Sequence, residues 1–497
     1  MSTLPPAPAL ARLTLASCCA ALAACAVGPN FRTPAPPVTP GYAPAGSLAN
    51  VTASAEVSGG QAQRFVDAQD IPGQWWTLFQ SEPLNDLIQR GLAHNPTLKA
   101  AQASLRQANE NTAAARGSFF PSVSGTLSTT RQKASAAAFG LPAGTSLLYT
   151  LDSGNVNVAY TLDAFGGIRR QVESLDAQAE YERFLLEAAY LSLTANIVTA
   201  AVTEASLRAQ IAATDDIADS QRKQLDITQR RVNAGGASRV EVLQQQATLQ
   251  ATLATLPGLR NQLAQERNLL ATYVGELPAD FQGPEFTLDS MTLPADLPLS
   301  LPSKLVEQRP DVREYSALLH EATAQIGVAT ANMLPQITLS GSIGAESTTF
   351  SDMFKAGSGV WSIGASIAQP LFKGGQLLHQ RRAAIAAADE AGANYQATVI
   401  NAFQNVSDTL HALSADAETL LAQDAAAKTA AESVKLVQAQ YTSGAASYLQ
   451  VLAAEQSYQN AAIALVRARA QRFADTAALF QALGGGWWNR PDIARQM

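Results

Sequence analysis

His320-Glu321 opens the pattern of a zinc-protease helix, but Ala324 stands where the second histidine would have to be, one turn on. His94, His379 and His411 are each isolated in the sequence, which favours helix-surface or core roles over metal ligation. The glycine pairs Gly166-Gly167 and Gly374-Gly375 lack the Gly-Lys-Ser/Thr that a phosphate loop needs. Each sits instead where a strand pattern passes into a helical one. The five methionines form no paired ladder for a soft metal, and no nucleophile stands with its base. The chain reads as non-catalytic, with no metal or cofactor expected.

One residue does sit in a chemically informative setting, and that is Cys25. Arg12, the apolar run from Leu13 to Ala24 and the small residues before Cys25 make residues 1–24 an export signal too short to span a bilayer. Leu22-Ala23-Ala24-Cys25 has the form of a bacterial lipoprotein signal, in which the thiol takes a diacylglyceryl group and becomes the first residue. A plain signal peptide or a misplaced start is the alternative. Ala26, rather than Asp, fits sorting to the outer membrane. Cys18 and Cys19 leave with the signal, so no disulfide is available to a mature monomer. The net charge of −7 argues against nucleic acid as a partner. No apolar run of helix-spanning length follows the signal, so no transmembrane helix is expected.

What positions the remaining landmarks is a duplication with a period of about 210 residues. Asn95-Pro96 returns as Arg309-Pro310, and Phe119-Phe120-Pro121 as Met333-Leu334-Pro335. Gly235-Gly236-Ala237-Ser238 returns as Gly444-Ala445-Ala446-Ser447, and Tyr273-Val274-Gly275 as Ala482-Leu483-Gly484. The spacing divides the chain into a lipidated tether rich in Pro, Ala, Ser and Gly at 25–70, a first repeat at 71–285 and a second at 286–490. Ordered structure is expected to begin near Trp75-Trp76.

Within each repeat the hydrophobic period changes. Val156, Val158, Tyr160 and Leu162 alternate with mostly polar neighbours, as do Trp361, Ile363, Ala365 and Ile367. Strands are therefore expected at about 121–165 and 336–372, two per repeat, joined by polar loops near 133–146 and 348–359. Their length suits a tilted membrane-crossing strand, with a half-buried soluble sheet as the alternative. Long helices follow at about 168–275 and 375–483. Val399, Phe403, Val406, Leu410, Leu413, Ala417 and Leu420 form a heptad seam, and Leu186, Leu193, Ala200 and Leu207 keep the same step. The helices reverse at Gly235-Gly236 and Gly444. Four strands cannot close a barrel, and open edges are not viable in lipid, so membrane-spanning strands require several chains.

The chain resembles the TolC-like outer-membrane efflux proteins, specifically the NodT-type lipoprotein branch. The resemblance rests on Val27-Gly28-Pro29-Asn30-Phe31, Trp75-Trp76-Thr77-Leu78-Phe79, Arg309-Pro310-Asp311-Val312-Arg313, Gln325-Ile326-Gly327-Val328-Ala329, the run from Leu334 to Gly341 and the closing stretch from Ala482 to Trp487. It implies an α+β membrane protein: a homotrimer whose 12-stranded β-barrel is continued by a coiled-coil α-helical barrel. Its implied function is the exit duct of a tripartite pump, docked to a periplasmic adaptor protein and an inner-membrane RND-type transporter. It also implies a periplasmic gate, whose matching positions are Glu241, Tyr441, Leu449, Gln450 and Ala453. Gln450 and Ala453 depart from the acidic residues common there, which leaves Glu241 as a charged ring and Leu449 as an apolar plug. Gly235, Gly236, Ser238, Gly444 and Ser447 would face the adaptor. A polypeptide-secretion duct and a lipid-anchored coiled-coil scaffold are the alternatives.

Overall fold

Proline starts corresponding helices in the two halves, and the order of elements around it repeats. The structure is a computed structural model describing residues 26–491 except 40, 45, 48, 136, 138, 139, 141 and 143–146. The expected signal at 1–24, Cys25 and part of the loop near 133–146 lie outside the described residues. The first half runs β1 (Arg64–Asp67), α1 (Glu82–His94), α2 (Pro96–Arg116), β2 (Ser122–Ala134), β3 (Leu147–Leu162), α3 (Gly167–Asn233) and α4 (Arg239–Val274). The second runs β4 (Asp296–Leu299), α5 (Pro302–Gln308), α6 (Pro310–Ala331), β5 (Gln336–Ser347), β6 (Gly359–Ala368), α7 (Gln376–Thr442) and α8 (Tyr448–Ala482). Pro96 and Pro310 occupy the first helical position, where a missing N–H costs nothing. Asn95 Oδ1 accepts from the Leu98 N–H at 3.0 Å and caps α2.

The chain forms two compact units, and each draws on both halves of the duplication. The first comprises residues 26–33, 105–182 and 315–395. Its sheet has the antiparallel order β2-β3-β5-β6. The register sets Val156 opposite Ile343, Tyr160 opposite Leu339, Ile343 opposite Trp361 and Ile337 opposite Ile367. One face is thereby a continuous apolar band, and Trp361 is 76% and Ile363 82% exposed on it. On the other face Ser128 meets Ser153 and Ser342 meets Ser362, each pair of hydroxyls 2.8 Å apart. Period-two alternation in register separates the faces this cleanly. Among the described residues no further strand pairs with β2 or β6 at the ends of the sheet.

Within the stretch read as an extended tether, residues 27–31 are held against this unit. The Val27 N–H donates to the Phe165 carbonyl at 3.0 Å. Arg170 donates to the Val27 and Gly28 carbonyls and to Asn30 Oδ1, and pairs with Glu173 at 2.7 Å. Phe31 stacks on His320 at 4.4 Å, and the His320 ring nitrogen lies 3.0 Å from Glu173. Gly28 has φ +91°, and a Cβ there would lie 2.5 Å from the Gly327 Cα. The sequence motifs around Gly28 and Gly327 are thus two sides of one contact.

The second unit comprises 34–104, 183–314 and 396–491. Order begins before Trp75, because β1 pairs in parallel with β4. Trp75, Trp76 and Phe79 form a buried 3-10 turn, and Trp75 stacks on Phe480 at 5.2 Å. Leu84, Leu87 and Ile88 bury one face of α1. Of the α7 seam, Val399, Val406, Leu410, Leu413, Ala417 and Leu420 are buried.

α3 is more apolar than the sequence reading expected. A stretch of α3 is long and apolar enough to cross a membrane by composition. More than half of it is buried within the chain, and Ile197, Val198 and Ala201 of α3 are fully so. Its hydrophobicity serves packing.

Candidate functional site at the helix reversals

The two long-helix reversals are built alike. Gly235 and Gly444 take φ +78° and +82°, a left-handed conformation that other residues adopt only with strain. The Gly236 N–H reaches back to the Arg231 carbonyl and the Ala445 N–H to the Gln440 carbonyl, each at 2.8 Å. These are the closing bonds of a Schellman cap. The chain then restarts on a serine N-cap in both halves. Ser238 Oγ accepts from the Glu241 N–H, and Glu241 Oε1 accepts from the Ser238 N–H. Ser447 and Gln450 form the same box, with Gln450 Oε1 accepting from the Ser447 N–H at 2.7 Å. Glu241 and Gln450 therefore each complete a capping box, a local reason for Glu or Gln at these positions.

Glu241 does more than cap. The Tyr441 hydroxyl of α7 donates to Glu241 Oε2 of α4, joining the two reversals. Arg231 of α3 donates to the Tyr441 carbonyl at 3.2 Å and to the Gly236 carbonyl at 3.3 Å. Its guanidinium carbon lies 4.3 Å from the centre of the Tyr441 ring, in reach of a cation–π contact. Tyr441 packs on Tyr448 at 5.5 Å, and both are buried with Val451. The Tyr448 hydroxyl donates to Gln245 Oε1 of α4.

Burial acts to raise the Glu241 carboxyl, but the hydrogen bonds from Tyr441 and Ser238 and the charge of Arg231 outweigh it and hold the group below its ordinary value. Burial first, and then Glu241, push the Tyr441 hydroxyl up to about 12. The pair is thus a phenol donating to a carboxylate at neutral pH.

Of the residues singled out in the sequence, Glu241 and Tyr441 come together. Gln450 caps its own helix, and Leu449 is 71% exposed beside it. Ala453 is exposed as well. Arg231, Tyr448 and Gln245 were missed. Tyr448 stands seven residues after Tyr441, and Arg231 is a basic residue in the last turn of a helix, a signal too common to single out. Among the described residues no group of three His, Cys, Asp or Glu side chains gathers as a metal site.

The profile of the family described as "Outer membrane efflux protein" matches residues 87–276 and 301–485. The chain is 30% identical over 488 residues to the probable efflux pump outer membrane protein TtgC of Pseudomonas putida, covering 97% of each chain. It is 30% identical over 438 residues to the pyoverdine export outer membrane protein OpmQ of Pseudomonas aeruginosa, covering 86% of this chain and 91% of that one. The solved structure of the outer-membrane channel OprN superposes with a TM-score of 0.83 at 27% identity, covering 93% of this chain and all of that one. With both halves matched by one family profile and nearly the whole length shared with curated relatives, the chain belongs to the outer membrane efflux protein family.

Proposed function

We propose that three copies of this chain close into one duct, the outer-membrane exit of a tripartite pump that carries small toxic or exported molecules out of the cell. The observation that carries this reading is the four-stranded sheet with one apolar face, one hydroxyl-rich face and two unpaired edges. In lipid such edges must be paired, and joining β2 of one copy to β6 of the next pairs them all. The apolar band then faces lipid and the hydroxyls line the passage. Native mass spectrometry of the detergent-purified protein tests this: a mass of three chains is expected, and a stable monomer competent to insert in bilayers would refute it.

The helix reversals are the periplasmic end in this reading. Gly235, Gly236, Ser238, Gly444 and Ser447 dock an adaptor protein there, and an inner-membrane RND-type transporter supplies both energy and cargo choice. Leu449, exposed next to the Ser447 cap, supplies an apolar plug at the axis. Diacylglyceryl at Cys25 anchors the chain to the outer membrane. Metabolic labelling with radioactive palmitate is expected to mark the wild type and leave Cys25→Ser unlabelled.

The Glu241–Tyr441–Arg231 contact is the latch of the gate. Tyr441→Phe removes the donor and keeps the ring, so the expected result is a two- to tenfold rise in outer-membrane uptake of a large polar antibiotic, the worth of about 0.5–1.5 kcal/mol. Glu241→Gln should do the same, and the double variant should add little to either single one. Fully additive effects would mean that the two residues do not act through one bond. The pH dependence has a definite sign. Because the folded carboxyl is held below its ordinary value, the latch is intact at neutral pH and is lost as pH falls through that lowered value.

A further inference from the structure

A cavity of about 250 Å³ opens among α3, α7 and α8, roughly 18 Å along α3 from its last residue. Ile217, Val434 and the Tyr458 ring contribute to its walls. Its buried polar side chains are Gln221 of α3, 2% exposed, and Glu455 of α8, 6% exposed. Glu455 Oε1 accepts from Gln438 Nε2 at 3.2 Å. Its other carboxylate oxygen, and both the nitrogen and the oxygen of the Gln221 amide, have no hydrogen-bond partner in the chain.

Three such atoms on the lining of one cavity are unusual. Buried polar atoms in folded proteins are nearly always paired, and each left unpaired costs about 1–3 kcal/mol. The volume is well above the roughly 30 Å³ share of one water. Two of the three atoms are acceptors. At the rim, Asp216 and Lys435 are exposed and of opposite sign, so Glu455 supplies the uncompensated charge inside. Burial pushes the Glu455 carboxyl above its ordinary range, and a cation beside it would offset that cost.

We infer that this cavity is a binding site for a small primary ammonium ion bearing an apolar ring or branched chain. The ammonium donates to Glu455 Oε2 and Gln221 Oε1, and the apolar part lies against Ile217, Val434 and Tyr458. A carboxylate or phosphate ligand is disfavoured by the charge of Glu455, and a purely apolar one leaves all three atoms unpaired. Because Gln221 and Glu455 sit on different helices, an occupant ties α3 to α8 behind the reversals. The Glu241–Tyr441 bond is not part of this site's lining.

The test is a calorimetric titration of the full-length protein in detergent with benzylammonium chloride, with benzyl alcohol as a neutral probe of nearly the same shape. Saturable binding of benzylammonium at one site per chain is expected, with benzyl alcohol at least about tenfold weaker, the worth of one charged hydrogen bond. Glu455→Gln and Gln221→Leu should each weaken benzylammonium by about tenfold or more. Val434→Trp, which fills the apolar end, should abolish binding without touching a polar group. Benzylammonium should also raise the melting temperature of the wild type and not that of Val434→Trp. No saturable heat, equal binding of the two probes, or wild-type affinity in every variant that keeps the native far-ultraviolet circular dichroism would overturn the site and leave a cavity filled by water alone.

Discussion

Arg472→Met is expected to destabilise the second unit by about 3 kcal/mol, seen as a lower urea midpoint with an unchanged slope. Arg472 is fully buried in α8. It donates to the Gly59 carbonyl at 2.9 Å, the Gln61 carbonyl at 3.0 Å and Gln63 Oε1 at 3.1 Å. Gln63 in turn donates to the Pro294 carbonyl and to Thr476, and the segment around it feeds β1 onto β4. Methionine keeps the length of the side chain but leaves three acceptors without a donor. The loss of three bonds from a charged group exceeds what is regained by no longer burying a guanidinium whose charged form burial disfavours. A midpoint within error of the wild type would mean that water replaces the guanidinium at no cost and that the 59–63 segment is not held by this contact.

Ile363→Arg is the second large effect, and it falls on assembly. Ile363 lies midway along β6 and is 82% exposed in the isolated chain. Facing lipid, an arginine near the midplane of a barrel wall costs about 2–4 kcal/mol, and the cost recurs in every copy. The expected result is strong loss of heat-modifiable oligomer from outer-membrane fractions. Ser362→Arg next to it points to the hydroxyl-lined face and should assemble near wild-type levels. If the two variants behave alike, the assignment of the faces is wrong.

The duplication, the strand pairs and the glycine reversals were legible because each follows from local chemistry. Val156 to Leu162 and Trp361 to Ile367 alternate with period two whatever packs on them. Gly235 and Gly444 mark positions that require φ > 0. The heptad step from Val399 to Leu420 is a property of one helix, and its burial follows. Contacts made across the sequence were not legible. Arg472 meets Gly59 across 413 residues, and Arg231 meets Tyr441 across 210. Nothing around either arginine distinguishes it from a solvated helix residue. The Val27-Gly28-Pro29-Asn30-Phe31 motif stands out in the sequence, but Arg170 and Gly327, on which it seats the amino-terminal segment, lie far along the chain. Glu241 was read for its charge alone, whereas the fold uses it twice, as a cap and as the acceptor of Tyr441.

The most direct test of the duct is single-channel recording of the purified full-length protein in planar lipid bilayers, comparing the wild type with Tyr441→Phe. The account expects discrete conductance steps from the wild type and longer or larger openings from Tyr441→Phe. Intact oligomers that insert but conduct no current in either form would contradict it.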